Sequence, residues 1–257
     1  MTFTDTHTHL YLNAFDDDRL EVVQRAIDQQ VKYMLLPNID SSSTEPLLNL
    51  CKAFPGNCFP MMGLHPTSVK ENYKEELELV AKQLDNKSFI AIGEIGIDLY
   101  WEKKFRIQQE EAFRFQIELS LEKKLPIVIH SRESFKEIFE VLEDYRNSGL
   151  KGVFHCFTGD EEQAEKAIGL GFYLGIGGVV TFKNSGLDKV ISNIDMKHLL
   201  LETDSPFLAP MPYRGKRNES SYINLVASKL SQVKNTSREE IAMITTQNAK
   251  NLFNFSS

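Results

Sequence analysis

Phe3-Thr4-Asp5-Thr6-His7-Thr8-His9 opens the chain with a short apolar run that ends in two histidines at alternate positions. On an extended strand, residues two apart face the same side. His7 and His9 therefore project together, and Asp5 lies below them on that side. The pattern recurs. Further apolar runs cover residues 33–37, 59–65, 89–94, 126–130, 152–155, 172–176 and 199–204, and five of them end in His65, Glu94, His130, His155 and Asp204. Ile127-Val128-Ile129 and Leu199-Leu200-Leu201 are nearly continuous in branched side chains, as strands buried on both faces of a parallel sheet are.

Amphipathic segments lie between the runs. Leu77, Val80, Ala81 and Leu84 share one helical face, as do Phe135, Ile138, Phe139 and Leu142, and Ile223, Val226, Ala227 and Leu230. Thr158-Gly159-Asp160-Glu161 and Ser237-Arg238-Glu239-Glu240 read as capping boxes. Eight strands alternating with helices predict an α/β chain with a parallel sheet and right-handed crossovers. Eight is also the number that closes a (β/α)8 TIM-like barrel, for which about 250 residues is a typical length. No linker divides the chain, so residues 1–257 read as a single barrel domain. An open doubly wound sheet would spread the polar strand ends across its width. A barrel gathers them at one C-terminal rim, where active sites of this fold lie.

Composition narrows the function. No apolar stretch approaches the roughly 18–20 residues of a membrane span, and the first residues lack a basic segment followed by an apolar one, so neither membrane nor secretion is expected. Three scattered cysteines, Cys51, Cys58 and Cys156, form no disulfide framework, which fits a reducing cytoplasm. The formal charge of −7, from 29 basic and 36 acidic side chains, opposes broad phosphate neutralisation. Attraction of an anionic substrate must then be local, through a basic patch or bound cations.

The strand-end donors are nitrogen and oxygen without sulfur, a set that suits Zn²⁺ or Mn²⁺ and, through the carboxylates, Mg²⁺. Four histidines and two carboxylates exceed one tetrahedral site. The spacing therefore predicts two divalent ions, the first held by His7, His9, Glu94 and Asp204, the second by Glu94, His130 and His155, with Glu94 bridging. Two such ions would lie roughly 3.5–4 Å apart. With two carboxylates and a hydroxide they leave roughly +1, enough to draw a phosphodiester to an acidic protein. His65 is placed to donate to substrate or leaving oxygen, and Asp204 to orient or deprotonate the attacking water. Arg132, two residues after His130, can fork onto phosphate oxygens. Arg214, Lys216 and Arg217 follow the eighth run, where barrels often bind phosphate. Tyr100 and Trp101 follow Glu94 in a loop, where a ring either packs or stacks a base. Glu202 lies below Asp204 and is assigned to the substrate side. Gly175, Gly177 and Gly178 would admit close approach of backbone amides. His198, at the opposite rim, is an ordinary structural histidine.

In order, the chain carries Asp5-Thr6-His7-Thr8-His9-Leu10, Gly63-Leu64-His65-Pro66, Gly93-Glu94-Ile95-Gly96-Ile97-Asp98, His130-Ser131-Arg132, His155-Cys156-Phe157-Thr158-Gly159 and Glu202-Thr203-Asp204-Ser205-Pro206. This ordered set resembles the TatD family of metal-dependent deoxyribonucleases within the amidohydrolase-like barrels, over essentially the whole chain. The resemblance implies divalent metals, ligation by His7, His9, Glu94, His130, His155 and Asp204, and hydrolysis of DNA, commonly as a 3′-to-5′ exonuclease on single-stranded or frayed ends. The family usually follows its basic Arg-Gly-Lys-Arg-Asn-Glu segment with proline; here Ser220 stands there. The alternatives are a barrel metallohydrolase acting on RNA or on a small amide, lactone or phosphoester, and a nucleic-acid-binding protein without catalysis. Nucleic acid is the expected partner; the sequence does not fix the oligomeric state and is compatible with a monomer.

Overall fold

Each apolar run becomes a strand, and its main chain pairs with the runs on either side. A computed structural model describes residues 1–255. Its strands are β1 (Phe3–Asp5), β2 (Val31–Leu36), β3 (Cys58–Pro60), β4 (Ile92–Asp98), β5 (Ile127–Arg132), β6 (Gly152–Phe154), β7 (Phe172–Ile176) and β8 (Leu199–Leu201). The helices are α1 (Arg19–Asp28), α2 (Thr44–Ala53), α3 (Tyr73–Asn86), α4 (Arg106–Lys123), α5 (Phe135–Glu143), α6 (Glu161–Gly169), α7 (Leu187–Asn193), α8 (Ile223–Lys234) and α9 (Arg238–Phe253). All ladders are parallel and join sequential strands, β1 to β3 and β4 to β8.

Two seams close these groups into a (β/α)8 barrel. Met62 bridges to Ile92 between β3 and β4, and Thr8 bridges to Ser205 beyond the ends of β1 and β8. At the second seam Thr6 N–H donates to the Leu201 carbonyl, Asp204 N–H to that of His7, and His9 N–H to that of Ser205, at 3.0, 2.9 and 2.7 Å. His7 and His9 thus lie just past the regular strand rather than within it.

Alternation sorts the apolar side chains into two cores. Ile127, Ile129, Phe154, Leu199 and Leu201 point outward against the helices. Tyr33, Leu35, Met61, Val128, Val153 and Leu200 fill the barrel interior, and Leu252, Phe253 and Phe255 of the C-terminal segment close its base. The interior is filled below the rim, so any cavity at the top has a floor.

Glu94 breaks the alternation. Ala91 belongs to the inner core and Ile92 to the outer one, which would send an unbroken strand's residue 94 outward. Between Ile92 and Ile95 the pairing with β5 shifts, three steps on β4 spanning two on β5. A bulge of this kind re-aims a side chain; after it Ile95 and Ile97 face the helices, leaving Glu94 and Asp98 inside.

The helix caps amend one expectation. Asp160, not Thr158, caps α6 in a reciprocal box with Gln163. Ser237 caps α9 through Glu240 N–H, while the Glu240 carboxylate accepts from Thr236 instead.

Candidate metal centre

Glu94 collects the rim histidines. Its Oε2 lies 3.1 Å from His7 Nε2 and 3.4 Å from His9 Nε2, and those nitrogens are 3.2 Å apart. Asp204 Oδ1 stands beside them at 3.8 and 3.7 Å. Glu94 Oε1 lies 2.7 Å from His130 Nδ1, 2.8 Å from His155 Nε2 and 3.2 Å from His65 Nε2. Donors about 2.0–2.2 Å from one tetrahedral cation are themselves about 3.3–3.6 Å apart. The donors around Oε2 come close to that spacing, while the His130 and His155 nitrogens sit nearer to Oε1, at hydrogen-bond length.

Hydrogen bonds on the far side of each ring decide which nitrogens offer a lone pair. Tyr11 hydroxyl donates to the Pro37 carbonyl at 2.6 Å, so its oxygen accepts from His9 Nδ1–H at 2.9 Å. That leaves His9 Nε2 as the bare nitrogen. His130 Nε2–H donates to Asp98 Oδ2 at 2.9 Å, which frees Nδ1. His155 Nδ1 lies 3.4 Å from Glu202 Oε1 without a hydrogen bond, while its Nε2 faces Glu94 Oε1 at 2.8 Å. His65 is the reverse. Thr67 N–H donates to its Nδ1 at 3.1 Å, so a neutral ring carries its proton on Nε2. His65 is thus a donor by geometry, and His9, His130 and His155 suit ligation. Among the described residues, His7 with His9 and Glu94, His7 with His155 and Asp204, and His65 with Glu94 and His130 lie close enough to share a cation, and their burial and nitrogen–oxygen character fit divalent metals.

Charge follows the same layout. Burial would raise Glu94, but His155, His65 and His7 hold its carboxyl well below the carboxylate range. Burial, aided by the neighbouring His155 against which it stacks at 3.7 Å, keeps His7 well below the usual imidazole value. Burial pushes Asp204 up to about 6, against the opposing pull of His155 and His9. Asp204 and Cys156 also hold left-handed backbone, with φ of 56° and 45°, at a cost of about 1 kcal/mol or more each.

A cavity of about 890 Å³ opens above the cluster. Arg132, Arg214 and Lys216 line it with Trp101 and Phe207. Three of the expected substrate-side residues lie otherwise engaged. Arg217 turns away: its fork pairs with both oxygens of Asp18 at 2.7 Å and lies over the Phe15 ring. Glu202 is fully buried, its Oε1 accepting Cys156 N–H at 2.5 Å, so it meets His155 rather than substrate. Tyr100 carries the Arg132 guanidinium 3.7 Å from its ring centre, so that face is not free for a base. The glycines serve packing too. A Cβ on Gly175 would meet Glu202 Oε2 at 2.2 Å, and one on Gly178 the Leu208 carbonyl at 2.1 Å. Asp98 and Tyr11 also belong to the site. Asp98 had a signal, since it stands four residues after Glu94 at even spacing; Tyr11, beyond the strand, had none.

Known proteins resemble the chain along nearly its whole length. A sequence model of the family described as TatD related DNase matches residues 4–254. The chain is 38% identical over 250 residues to an uncharacterized metal-dependent hydrolase, YabD of Bacillus subtilis, covering 97% of this chain and 98% of that one. It is 32% identical over 255 residues to a 3′-5′ ssDNA/RNA exonuclease, TatD of Pantoea vagans, with 97% and 98% covered. The crystal structure of the TatD homologue YJJV from Escherichia coli superposes with a TM-score of 0.93 at 28% identity, over 99% of this chain and 98% of that one. A barrel rim that gathers these donors, matched along nearly the whole sequence, places the chain in the TatD-related DNase family.

Proposed function

We propose that the protein is a metal-dependent hydrolase of nucleic-acid phosphodiesters, removing nucleotides from a single-stranded or frayed DNA end in the 3′-to-5′ direction. The observation that carries this reading is Glu94 presenting one oxygen to each of two imidazole groups. His7, His9, Glu94 and Asp204 would hold one divalent cation, and Glu94, His130 and His155 a second, as Mg²⁺, Mn²⁺ or Zn²⁺. Bound there, such ions supply Lewis acidity toward a phosphate oxygen and make water a nucleophile at neutral pH.

The remaining steps belong to the chain. Asp204, pushed up to about 6 at the cavity wall, takes the proton of the attacking water on its carboxylate. His65 offers Nε2–H to the leaving oxygen. Arg132, stacked and thus pre-oriented, forks onto phosphate oxygens, while Arg214 and Lys216 neutralise the next phosphate along the strand. The filled barrel beneath gives the cavity a floor, which suits a chain end better than a strand passing through. Exposed Trp101 and Phe207 supply rings on which bases can stack.

The test is digestion of end-labelled single- and double-stranded DNA and RNA by chelator-stripped protein reloaded with each metal. Stepwise loss from the 3′ end of single-stranded DNA is expected. Products from internal sites, or cleavage only of neutral esters, would overturn the reading.

A further inference from the structure

The ends of β4 and β5 carry a closed circuit of contacts that none of the chemistry above requires. Asp98 and Arg132 pair side by side in the ladder. Asp98 is 2% exposed and divides its two oxygens. Oδ2 accepts His130 Nε2–H at 2.9 Å. Oδ1 accepts the backbone N–H of Tyr100 at 3.0 Å and that of Trp101 at 3.4 Å. Those residues turn their rings onto Arg132, whose guanidinium lies 3.7 Å from the Tyr100 centroid and 5.2 Å from that of Trp101. The rings meet edge to face at 4.8 Å. Arg132 in turn lies two residues from His130 on the same strand, which closes the circuit.

We propose that Asp98 is a positioning residue that locks His130 and Arg132 into one unit, so that loading a cation and gripping a phosphate are coupled. This rests on the reading of His130 as a ligand and Arg132 as the phosphate clamp. The physical ground is the division of one carboxylate. A histidine that offers one nitrogen to a metal is oriented by a carboxylate on the other. Here the same carboxylate also fixes the loop whose rings hold the guanidinium by cation–π contact. Movement of either partner is transmitted through a rigid, buried group.

Trp101 is the sole tryptophan of the chain, so fluorescence excited at the red edge, where tyrosine no longer absorbs, reports on this loop alone. The test uses full-length, chelator-stripped wild type, D98N and D98A, titrated with Zn²⁺, which is closed-shell. Zinc binding is followed by calorimetry and the loop by Trp101 anisotropy. In wild type, zinc is expected to change the anisotropy. D98A should lower it in the stripped protein and weaken zinc by about 10- to 100-fold. D98N keeps one acceptor oxygen and cannot serve both partners, so it should lose either zinc affinity or loop order. If D98A does not fold, as judged by circular dichroism, D98N carries the test. Wild-type zinc affinity together with wild-type anisotropy in D98N would overturn the coupling while leaving the metal reading intact. Failure of the wild-type protein to bind zinc would overturn both.

Discussion

Asp204→Asn should make the metal-stripped protein more stable and the metal-loaded protein less so. Burial lifts the Asp204 carboxyl from its ordinary 3.8 to about 6, a rise worth about 3 kcal/mol. The sign follows from which state holds the proton. Well below pH 3.8 the carboxyl is neutral in both folded and unfolded chains and costs nothing. Between pH 4 and 6 the unfolded chain ionises while the folded one keeps its proton, so stability falls as pH rises. Above pH 6 the whole cost is present. Asparagine matches the shape without the charge, so its advantage should grow by about 2 kcal/mol between pH 4.5 and pH 8. Urea unfolding of chelator-treated proteins reads this directly. Zinc at about 100 times its Kd should then add about 2.7 kcal/mol to wild type, and much less to the variant, whose neutral amide oxygen is a weaker ligand than a carboxylate. A stripped D204N no more stable than wild type at pH 8, or one whose advantage does not vary with pH, would refute the reasoning.

Glu94→Gln removes the charge shared by both donor groups; cleavage of an oligonucleotide should fall by at least about 10²-fold with circular dichroism unchanged. EDTA should abolish turnover and Mn²⁺, Mg²⁺ or Zn²⁺ restore it, whereas turnover that survives exhaustive chelation would discount the metal role. Arg132→Ala should lower kcat/KM by about 10- to 100-fold, mostly through KM, and R132K should recover little because lysine has no fork. Asp18 is held at about 2 by Arg217 and, less strongly, Arg25. Asp18→Asn should therefore cost under about 1 kcal/mol, seen fully above about pH 4 and fading as pH falls toward 2, with the adjoining basic loop more easily cut by trypsin.

Most of the barrel was legible because parity survives in the sequence. Val128, His130 and Arg132 keep period two, as do Val153 and His155, so their inward direction could be read from spacing alone. Glu94 could not be read in this way. Its inward aim depends on a shift of ladder register between Ile92 and Ile95, which no local pattern encodes. The rim charges were legible as types and not as directions. Arg217 and Lys216 are adjacent cations, yet Asp18, almost 200 positions away, captures one and leaves the other at the cavity. Glu202 was legible in direction, since period two carries it inward with Leu200, but not in partner, because the Cys156 N–H that its carboxylate accepts comes from the end of another strand.

The seam joining β1 to β8 means that β1 finds its second neighbour only once residues almost 200 positions later have been made. Thr4 bonds Thr246, and Thr246 bonds the Thr2 carbonyl, across more than 240 residues. Until residues 199–253 emerge, β1 presents a bare strand edge, and such edges recruit other chains. Closing so long a loop is also slow. The hazardous interval for this protein is therefore its synthesis, and a truncation sparing every rim donor while removing α9 should still yield aggregate, because water would enter the barrel from below.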